Sequence, residues 1–364
     1  MNDDDLIADA VERLFSEQVG KSSREAAERG ELDAALWQQV ADAGLPLMLA
    51  AERDGGLGLP LVAAWPLLRG IGHWQVPLPL AETLLAAQLL SRAGLPVPGG
   101  PLTLAEQGPG GAVQVQASGG AVLLTGTLHH VAWARHAQAL ALSLDDGRVA
   151  LVDLRESLAD GGPVQVLAHV DTAGLPDDTV VLRGARAVAV APHGLALAQP
   201  AWTLGAVARS AMMAGALQWT LAQTATYANE RVQFGKPIGR NQALQQNLAL
   251  VAGDTAAATM AARVALADAD GPSARFSAAV AKVRAGEAAT RATGIAHQVH
   301  GAIGFTQEHA LHFATRRLWA WRAQFGSDAW WAAELGRSAI AAGGSGFWTA
   351  LTQRRFDTLD INPT

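Results

Sequence analysis

The sequence predicts an α+β chain with an N-terminal helical domain, a middle antiparallel β domain or barrel, and a C-terminal four-helix bundle. Three observations predict this architecture. Apolar residues recur at helical period in the first zone, short Val- and Leu-rich stretches lie between Gly and Asp pairs in the second, and long Ala-rich segments fill the third. With 364 residues, of which 50% are hydrophobic, the chain is long and apolar enough to bury a large core. The expected boundaries are residues 1–98, 99–198 and 199–364.

In the first zone, apolar faces at helical spacing predict helices that Gly- and Pro-rich turns separate. These helices are expected at Glu31–Ala43, Leu59–Leu68 and Pro79–Arg92. In the second zone, turn signals at intervals of about a dozen residues bound six predicted strands. Their sequences are AVQVQA, AVLLTGT, AQALALSL, RVALVDL, VQVLAHV and TVVLRGARAVAV.

The third zone predicts long helices in series with short connections, which is typical of a helical bundle. Few helix breakers occur inside these segments, and Ala is enriched throughout. Their expected bounds are Leu204–Asn229, Gln242–Asp270, Ser273–Gly301, His309–Ala323 and Asp328–Ala341.

Composition excludes several classes of function. The formal net charge is −6 and no block of Lys or Arg occurs, which argues against nucleic-acid binding. The sequence has no Cys, so disulfides, thiolate metal sites and Cys nucleophiles are excluded. The N-terminal segment is acidic, and no apolar run reaches the ~18 residues that cross a bilayer. We therefore expect a soluble cytoplasmic protein without a membrane span.

The most informative segment is YANERVQFGKPIGRNQALQQNL, residues 227–248, which joins two predicted helices through a Gly- and Pro-containing turn. An Arg, an amide and an aromatic residue at such a junction (Arg231, Gln233 and Phe234) can hold a phosphate and cover a heteroaromatic ring. In the alternative interpretation, Arg231 offsets the helix macrodipole and Phe234 fills the core. Both interpretations remain open on the chemistry alone.

A second informative segment is QVHGAIGF, residues 298–305, in which Gly301 and Gly304 end a helix. Taken alone, it favours a Schellman-type helix end without a ligand. Two H-x-x-H pairs, His297 with His300 and His309 with His312, are compatible with metal binding at helical spacing. Because the glycine break puts the pairs on different helices, we expect helix-end histidines and no metal.

Aromatic residues at two further places have two interpretations each. His129, His130 and Trp133 follow a TGT turn in the β zone and are predicted either on a half-buried strand face or facing a ring-shaped ligand. A Trp-rich cluster near the C-terminus either fills the core or lines a pocket or subunit interface. Its members are Trp319, Trp321, Trp330 and Trp331.

At these residues the chain resembles the acyl-CoA dehydrogenase family. The strongest matches are RVQFGKPI from Arg231, followed by Gln242, and QVHGAIGFTQEH from Gln298, in the family's order and spacing. Weaker matches are ERDGGLGLP, the LAEQGPG stretch that resembles the family's flavin loop, and VLLTGT. The order of helical, β and helical zones also agrees, so the resemblance covers nearly the whole chain. PLPLAETLLA resembles short members of the family found beside lipid- or sterol-degrading enzymes.

The resemblance implies an FAD site and oxidation of an acyl-CoA thioester at its α and β carbons. In the family, residues of the RVQFG motif reach across a subunit interface to a neighbour's FAD, so an oligomer is implied, and an electron-transfer flavoprotein is the implied acceptor. Expected contacts with the adenine and diphosphate end are Arg231, Gln233, Phe234, Gln242, Gln298, Gly301 and Ala302. Expected contacts near the flavin are Ala105, Glu106, Ala132 and Trp133, and Ser327 is a further expected cofactor contact.

The sequence departs from the family at the catalytic base, which in the family is the carboxylate of an acidic residue. The family's Glu-Gly pair falls on Phe325-Gly326, and its alternative acid position falls on Gly205, so neither position has a carboxylate. The neighbouring substrate-side Arg becomes Ala206. Near the flavin, the family's Thr becomes Ala105 and its Trp becomes His130.

Three hypotheses follow from the departures. In the first, the chain is the acid-lacking subunit of a hetero-oligomeric dehydrogenase and gives FAD contacts to a catalytic partner. In the second, it is a self-sufficient FAD enzyme that uses another acid, of which Asp328 is the nearest candidate, although Asp328 is also a candidate helix N-cap. In the third, it is a flavin-free interaction protein.

Overall fold

The computed structural model describes residues 3–109, 111–155, 161–192 and 194–354. Along this part of the chain, helices come before and after a zone of strands, and short 3₁₀ turns join several elements. The helices are α1 (Asp3–Gln18), α2 (Lys21–Glu28), α3 (Ala34–Asp42), α4 (Trp65–Trp74), α5 (Leu80–Arg92), α6 (Pro200–Glu230), α7 (Gln242–Asp268), α8 (Ala274–His300), α9 (Leu311–Ala323) and α10 (Asp328–Thr352).

The strands form two four-stranded sheets and one small hairpin. The first sheet has the order β1-β4-β5-β8 and the second the order β2-β3-β7-β6, while β9 pairs with β10. The strands are β1 (Leu102–Glu106), β2 (Val113–Ser118), β3 (Ala121–Ala132), β4 (Ala139–Ser143), β5 (Val149–Asp153), β6 (Val164–Leu167), β7 (Asp177–Arg186), β8 (Ala189–Ala191), β9 (Val232–Gln233) and β10 (Lys236–Pro237).

The predicted fold class is confirmed, but several local bounds differ. The helix expected at Leu59–Leu68 is a 3₁₀ turn at Leu61–Ala64 followed by α4. The stretch TVVLRGARAVAV forms two strands, β7 and β8, that belong to different sheets. Strand β1 pairs parallel with β4, whereas the other pairs are antiparallel. Strand β1 was not predicted, because all five of its residues are buried and its sequence has no alternating pattern. Helix α10 continues past its predicted end at Ala341 to Thr352, across a kink where Gly343 has a φ of 68°.

The chain divides into two compact units. The first contains the chain up to Arg24, Trp65–Val76, and the chain from Ala206 onward. The second contains Glu25–Ala64 and Pro77–Gly205. The elements of the predicted N-terminal domain are thus shared between the two units, and the β zone lies in the second.

The core of the second unit lies between its two sheets. Side chains from β3 and β7 of one sheet and from β4 and β5 of the other form one buried apolar cluster. Leu124, Leu128, Leu140, Leu142 and Val180 are each fully buried in it. Alternate residues of paired strands therefore supply this core, as two packed sheets require.

In the first unit, α4 and α6 cross at glycines. A Cβ on Gly72 would lie 1.7 Å from the Met212 carbonyl oxygen, and a Cβ on Gly215 would lie 2.0 Å from the Arg69 carbonyl oxygen. No larger residue fits at either position without moving a helix backbone. Helix α8 is likewise rich in buried Ala and packs along α7, α9 and α10. The helices of this unit therefore approach one another closely.

Among the described helices, α7 alone is long and apolar enough to cross a membrane, by length and composition only. Of its most apolar stretch of 18 residues, 28% is buried. Asp254 in its middle pairs with Arg284 and Arg291 of α8. These ion pairs give α7 a polar face toward its neighbour in the bundle.

Replacing Gly72 with Ala should destabilise the first unit. The added methyl overlaps the Met212 carbonyl, and overpacking of this kind costs about 1–3 kcal/mol. Gly253→Ala is the matched control, because that position in α7 has open space around it and Ala favours a helix over Gly by about 1 kcal/mol. Urea unfolding should show a lower midpoint for Gly72→Ala and an equal or higher midpoint for Gly253→Ala. Equal midpoints for both variants would contradict the crossing geometry.

Candidate functional site

The RVQFG segment forms an exposed hairpin between α6 and α7. Gln233 pairs with Lys236, and Phe234 and Gly235 make the turn with φ values of 51° and 77°. The Phe234 side chain is 100% exposed. The interpretation of Phe234 as a core residue is therefore wrong within this chain, because the ring lies at the tip of the hairpin and is fully exposed.

The hairpin and the QVHGAIGF segment line one cavity, although they are far apart in sequence. The cavity has a volume of about 370 Å³. Its lining includes Gln233, Phe234 and Lys236 from the hairpin, and Gln298 from the end of α8. Gln242 is the first residue of α7, and its neighbours on both sides also line the cavity. The structure thus brings together the two segments that the sequence singled out.

The glycine after α8 has the geometry of a helix stop. Gly301 has a φ of 62°, and its N–H donates to the His297 carbonyl. Gly301 and Ala302 are exposed at the start of the 3₁₀ turn Gly301–Phe305. Their assignment as cofactor contacts stays a prediction, and their exposed backbone beside Gln298 is compatible with it.

A cluster of aromatic rings lies beneath this turn. The ring of His300 stacks on Tyr227 with centroids 4.4 Å apart and meets the edge of His309 at 4.7 Å. The ring of His297 stacks on Phe305 at 4.5 Å. Among the described residues, no group of three or more His, Asp or Glu is arranged to hold a metal ion. These histidines pack against aromatic rings at a helix end.

Burial lowers the pKa of His297, of His300 and of His309 below the ordinary value of 6.5. The charge of neighbouring histidines lowers the pKa of His297 and His300 further. A hydrogen bond from His300 Nδ1 to the Ala296 carbonyl opposes this shift without reversing it. The cluster is therefore neutral at physiological pH.

The positions expected near a flavin lie in the second unit. Ala105, Ala132 and Trp133 are buried there, and Trp133 adopts a left-handed φ of 60°. The Trp133 backbone N–H donates to the Pro176 carbonyl. Glu106 is also buried, and its Oε2 accepts from the backbone N–H of Trp202 near the start of α6. Two methyl side chains and one buried indole offer few hydrogen bonds to a polar ring edge.

A β-bulge turns His129 and His130 outward. The register of β3 and β7 shifts between Leu128 and Val131, so both histidines oppose Thr179. His130 Nδ1 lies 2.7 Å from Asp177 Oδ2, and the His130 side chain is 80% exposed. These residues belong to a strand, as one interpretation predicted, but they are exposed rather than half-buried.

A buried arginine covers Phe325, the residue that we predict to match the family's catalytic position. Phe325 has a left-handed φ of 53°, and the guanidinium of Arg209 lies 5.3 Å from its ring centroid. Arg209 Nε also donates to Gln324 Oε1 at 2.7 Å. Arg209 was not among the predicted site residues, although its position one helical turn beyond Gly205 on an apolar helix was a usable signal.

Asp328 and Ser327 have structural partners at the start of α10. Ser327 Oγ accepts from the Trp330 N–H and is the N-cap, so the interpretation of Asp328 as the N-cap is wrong. The Asp328 carboxylate accepts two hydrogen bonds from Arg322, one from Nε at 2.9 Å and one from Nη2 at 3.0 Å. A catalytic role for Asp328 and a cofactor contact by Ser327 both stay predictions.

The Trp-rich segment mainly fills the core. Trp321 and Trp331 are buried, and Trp330 is half-buried against Trp331. Trp319 is exposed, with the Arg322 guanidinium 5.1 Å from its ring. The core interpretation therefore holds for Trp321 and Trp331 and fails for Trp319.

Comparisons with known proteins agree with this architecture. The chain matches the family descriptions "Acyl-CoA dehydrogenase, N-terminal domain" over residues 1–96 and "Acyl-CoA dehydrogenase, C-terminal domain" over residues 192–340. It is 32% identical to acyl-CoA dehydrogenase FadE27 of Mycobacterium tuberculosis over 77% of this chain and 81% of that protein.

Two solved structures of multi-chain assemblies are also similar. One is the ChsE4-ChsE5 complex from Mycobacterium tuberculosis, with a TM-score of 0.82 and 26% identity over 94% of this chain and 98% of the matched chain. The other is a variant of the Tcur3481-Tcur3483 steroid ACAD, with a TM-score of 0.82 and 27% identity over the same shares.

The histidine cluster should make the fold sensitive to mild acid. Because the folded-state pKa values lie below 6.5, the unfolded chain binds protons first as the pH falls, and the free energy of unfolding decreases. In His300→Phe, a ring still stacks on Tyr227 but cannot bind a proton. Between about pH 8 and about pH 5.5 the free energy of unfolding should therefore decrease less in this variant than in the wild type. The difference in the pH dependence corresponds to at most about one bound proton. Urea unfolding at both pH values measures this difference. The comparison at pH 8 isolates the packing effect, and parallel pH profiles would contradict the prediction.

Proposed function

Because the chain belongs to the acyl-CoA dehydrogenase family of oxidoreductases, we propose that it is the acid-lacking subunit of a hetero-oligomeric dehydrogenase. In this assembly it binds the adenine and diphosphate end of an FAD that serves a partner's catalytic site. The substrate class is an acyl-CoA thioester from lipid or sterol breakdown. The matched assemblies support the two-chain organisation, and one of them is described as a steroid enzyme.

One contrast carries the proposal. Among the residues that match the family's cross-subunit FAD contacts, Gln233, Phe234 and Gln298 line the cavity. Arg231 and Gln242 are exposed, whereas both positions for the catalytic carboxylate lack one. Phe325 lies under the Arg209 guanidinium, and Gly205 has no side chain. A chain that has these FAD-contact residues and lacks the carboxylate fits the role of completing another subunit's site.

The residues fit one end of FAD better than the other. Arg231 supplies a cation for the diphosphate, Gln233 and Gln298 supply amides, and the exposed Phe234 ring can cover the adenine. Around the expected flavin position, Ala105 and Ala132 have no polar side-chain atoms. This chain therefore supplies binding and orientation at the nucleotide end.

Thioester oxidation needs a base for the α-proton, and FAD supplies the hydride acceptor when bound. Phe325 cannot remove a proton, so the base comes from the partner subunit. The contribution of this chain is to position the cofactor by the Arg231 and Gln233 contacts. An electron-transfer flavoprotein is the acceptor that we expect for the assembly.

The main test is the FAD content of the complex. The chain is purified alone and with a candidate acid-bearing subunit, and FAD is quantified from the visible spectrum after denaturation. Arg231→Ala in this chain should weaken FAD binding by the complex about 30-fold, since hydrogen bonds to charged groups contribute about 2 kcal/mol. Arg240→Ala, which removes an exposed cation nine positions along the chain, is the control and should leave the FAD content unchanged.

Two outcomes would contradict the proposal. If the chain alone holds stoichiometric FAD that bleaches with an acyl-CoA, it has a complete site of its own. If neither the chain nor its complexes bind FAD, the flavin-free hypothesis is favoured.

Asp328→Asn separates the proposal from the self-sufficient alternative. We expect the active complex to retain turnover and to lose about 2 kcal/mol of stability, because the substitution breaks a partly buried ion pair with Arg322. Asp146→Asn breaks the more exposed pair with Arg148 and should cost less than about 1 kcal/mol. Turnover assays and urea unfolding measure the two effects. Loss of turnover with an unchanged fold would instead support Asp328 as the acid.

A further inference from the structure

One of the three lysines in the sequence is completely buried in the first unit. The Nζ of Lys282, on α8, donates to the backbone carbonyls of Trp321 at 2.7 Å, Arg322 at 3.2 Å and Gln324 at 2.8 Å. An ammonium group has three N–H bonds, and here each has a carbonyl acceptor. The charged form of the lysine is therefore fully hydrogen-bonded by main-chain oxygens.

These carbonyls belong to the end of α9, where helical hydrogen bonding runs out. The last carbonyls of a helix have no N–H partner within it and carry partial negative charge. The ammonium of Lys282 satisfies three of them at once. The chain leaves α9 directly into the turn that contains Phe325 and Gly326.

Other contacts fix the far side of the same turn. Trp331 Nε1 donates to the Phe325 carbonyl at 2.9 Å. Gly286, one helical turn beyond Lys282, allows Asp328 to pack directly on α8, since a Cβ there would lie 2.5 Å from the Asp328 Cβ. The turn is thus held by side chains from both α8 and α10.

We propose that Lys282 is a positioning residue whose ammonium group fixes the Gln324–Gly326 turn and thereby holds the Phe325 ring beneath Arg209. The role of this turn as the former acid position rests on the proposed function, whereas the positioning itself concerns this chain alone. Arg209 then occupies the space above the Phe325 ring, and the turn presents no carboxylate there.

The charges that face Lys282 come from three helices. Burial lowers the pKa of Lys282 to about 7, and the charges of Arg209 on α6 and Arg322 on α9 act in the same direction, while Asp328 on α10 opposes them. A neutral amine has one N–H fewer than the ammonium, so one carbonyl loses its donor when the proton leaves. The turn should therefore loosen as the pH rises through neutrality.

The small number of lysines makes a direct test possible. Lysine labelled with ¹³C at Cε gives one NMR signal each for Lys21, Lys236 and Lys282. Lys282→Met identifies the buried residue by loss of its signal. We expect that signal to titrate near pH 7, whereas an ordinary lysine titrates near pH 10.4.

The turn itself is monitored through Trp331. With fluorinated tryptophan, the ¹⁹F signal that disappears in Trp331→Phe reports the indole bonded to Phe325. In the wild type this signal should shift over the pH range in which Lys282 titrates. In Lys282→Met it should move from its wild-type position and lose that pH dependence, and Lys21→Met should behave as the wild type.

An unmoved Trp331 signal in Lys282→Met, with the wild-type pH dependence retained, would overturn the proposal. If Lys282→Met fails to fold, the titration of wild-type Trp331 decides, since the proposal requires it to follow the Lys282 ¹³C signal. Both readouts use the full chain without FAD or partner. Their outcome is therefore independent of the FAD test.

Discussion

Close approach between helices is the constraint on which the first unit depends. At Gly72 and Gly215 the backbones of α4 and α6 meet without intervening side chains, and at Gly286 the Asp328 side chain packs directly on the α8 backbone. Helices this close leave little free volume, so buried polar groups must find partners at fixed positions. Lys282 meets this requirement with main-chain carbonyls, and Arg209 meets it with Gln324 and the Phe325 ring.

The same rigidity explains why the fold does not depend on the side chain at position 325, which we predict to match the family's acid. The turn after α9 is held by contacts to its backbone, from Lys282 and Trp331, rather than by the side chain at position 325. A residue at that position can therefore change from an acid to Phe while the turn stays in place. The hairpin at Phe234 has the opposite character, because its side chains point away from the unit and are available to a ligand or another subunit.

The sequence predicted the ends of α6 to α9 within four residues, because their Ala-rich segments end at clear signals such as Asn241 before α7 and Gly301 after α8. Helix α10 runs eleven residues past its expected end. The clustering of Gln233 with Gln298 followed from the family resemblance, since local pattern cannot relate segments so far apart. Strand β1 was missed because it is buried on both faces. Arg209 and Lys282 were missed because their partners lie far along the chain, at Gln324 and at the end of α9. Local periodicity contains no information about such pairs.

The burial of Lys282 also affects how the chain withstands its own proposed substrate. Thioesters acylate unprotonated primary amines, and a lysine with a lowered pKa is the most reactive kind. Here the lysine with the lowered pKa is shielded by α8 and α9, so the side-chain amines at the surface are those of Lys21 and Lys236. Most of the 27 basic residues are arginines, which keep their charge and do not react in this way. A surface of this kind presents few side-chain primary amines to an activated acyl group.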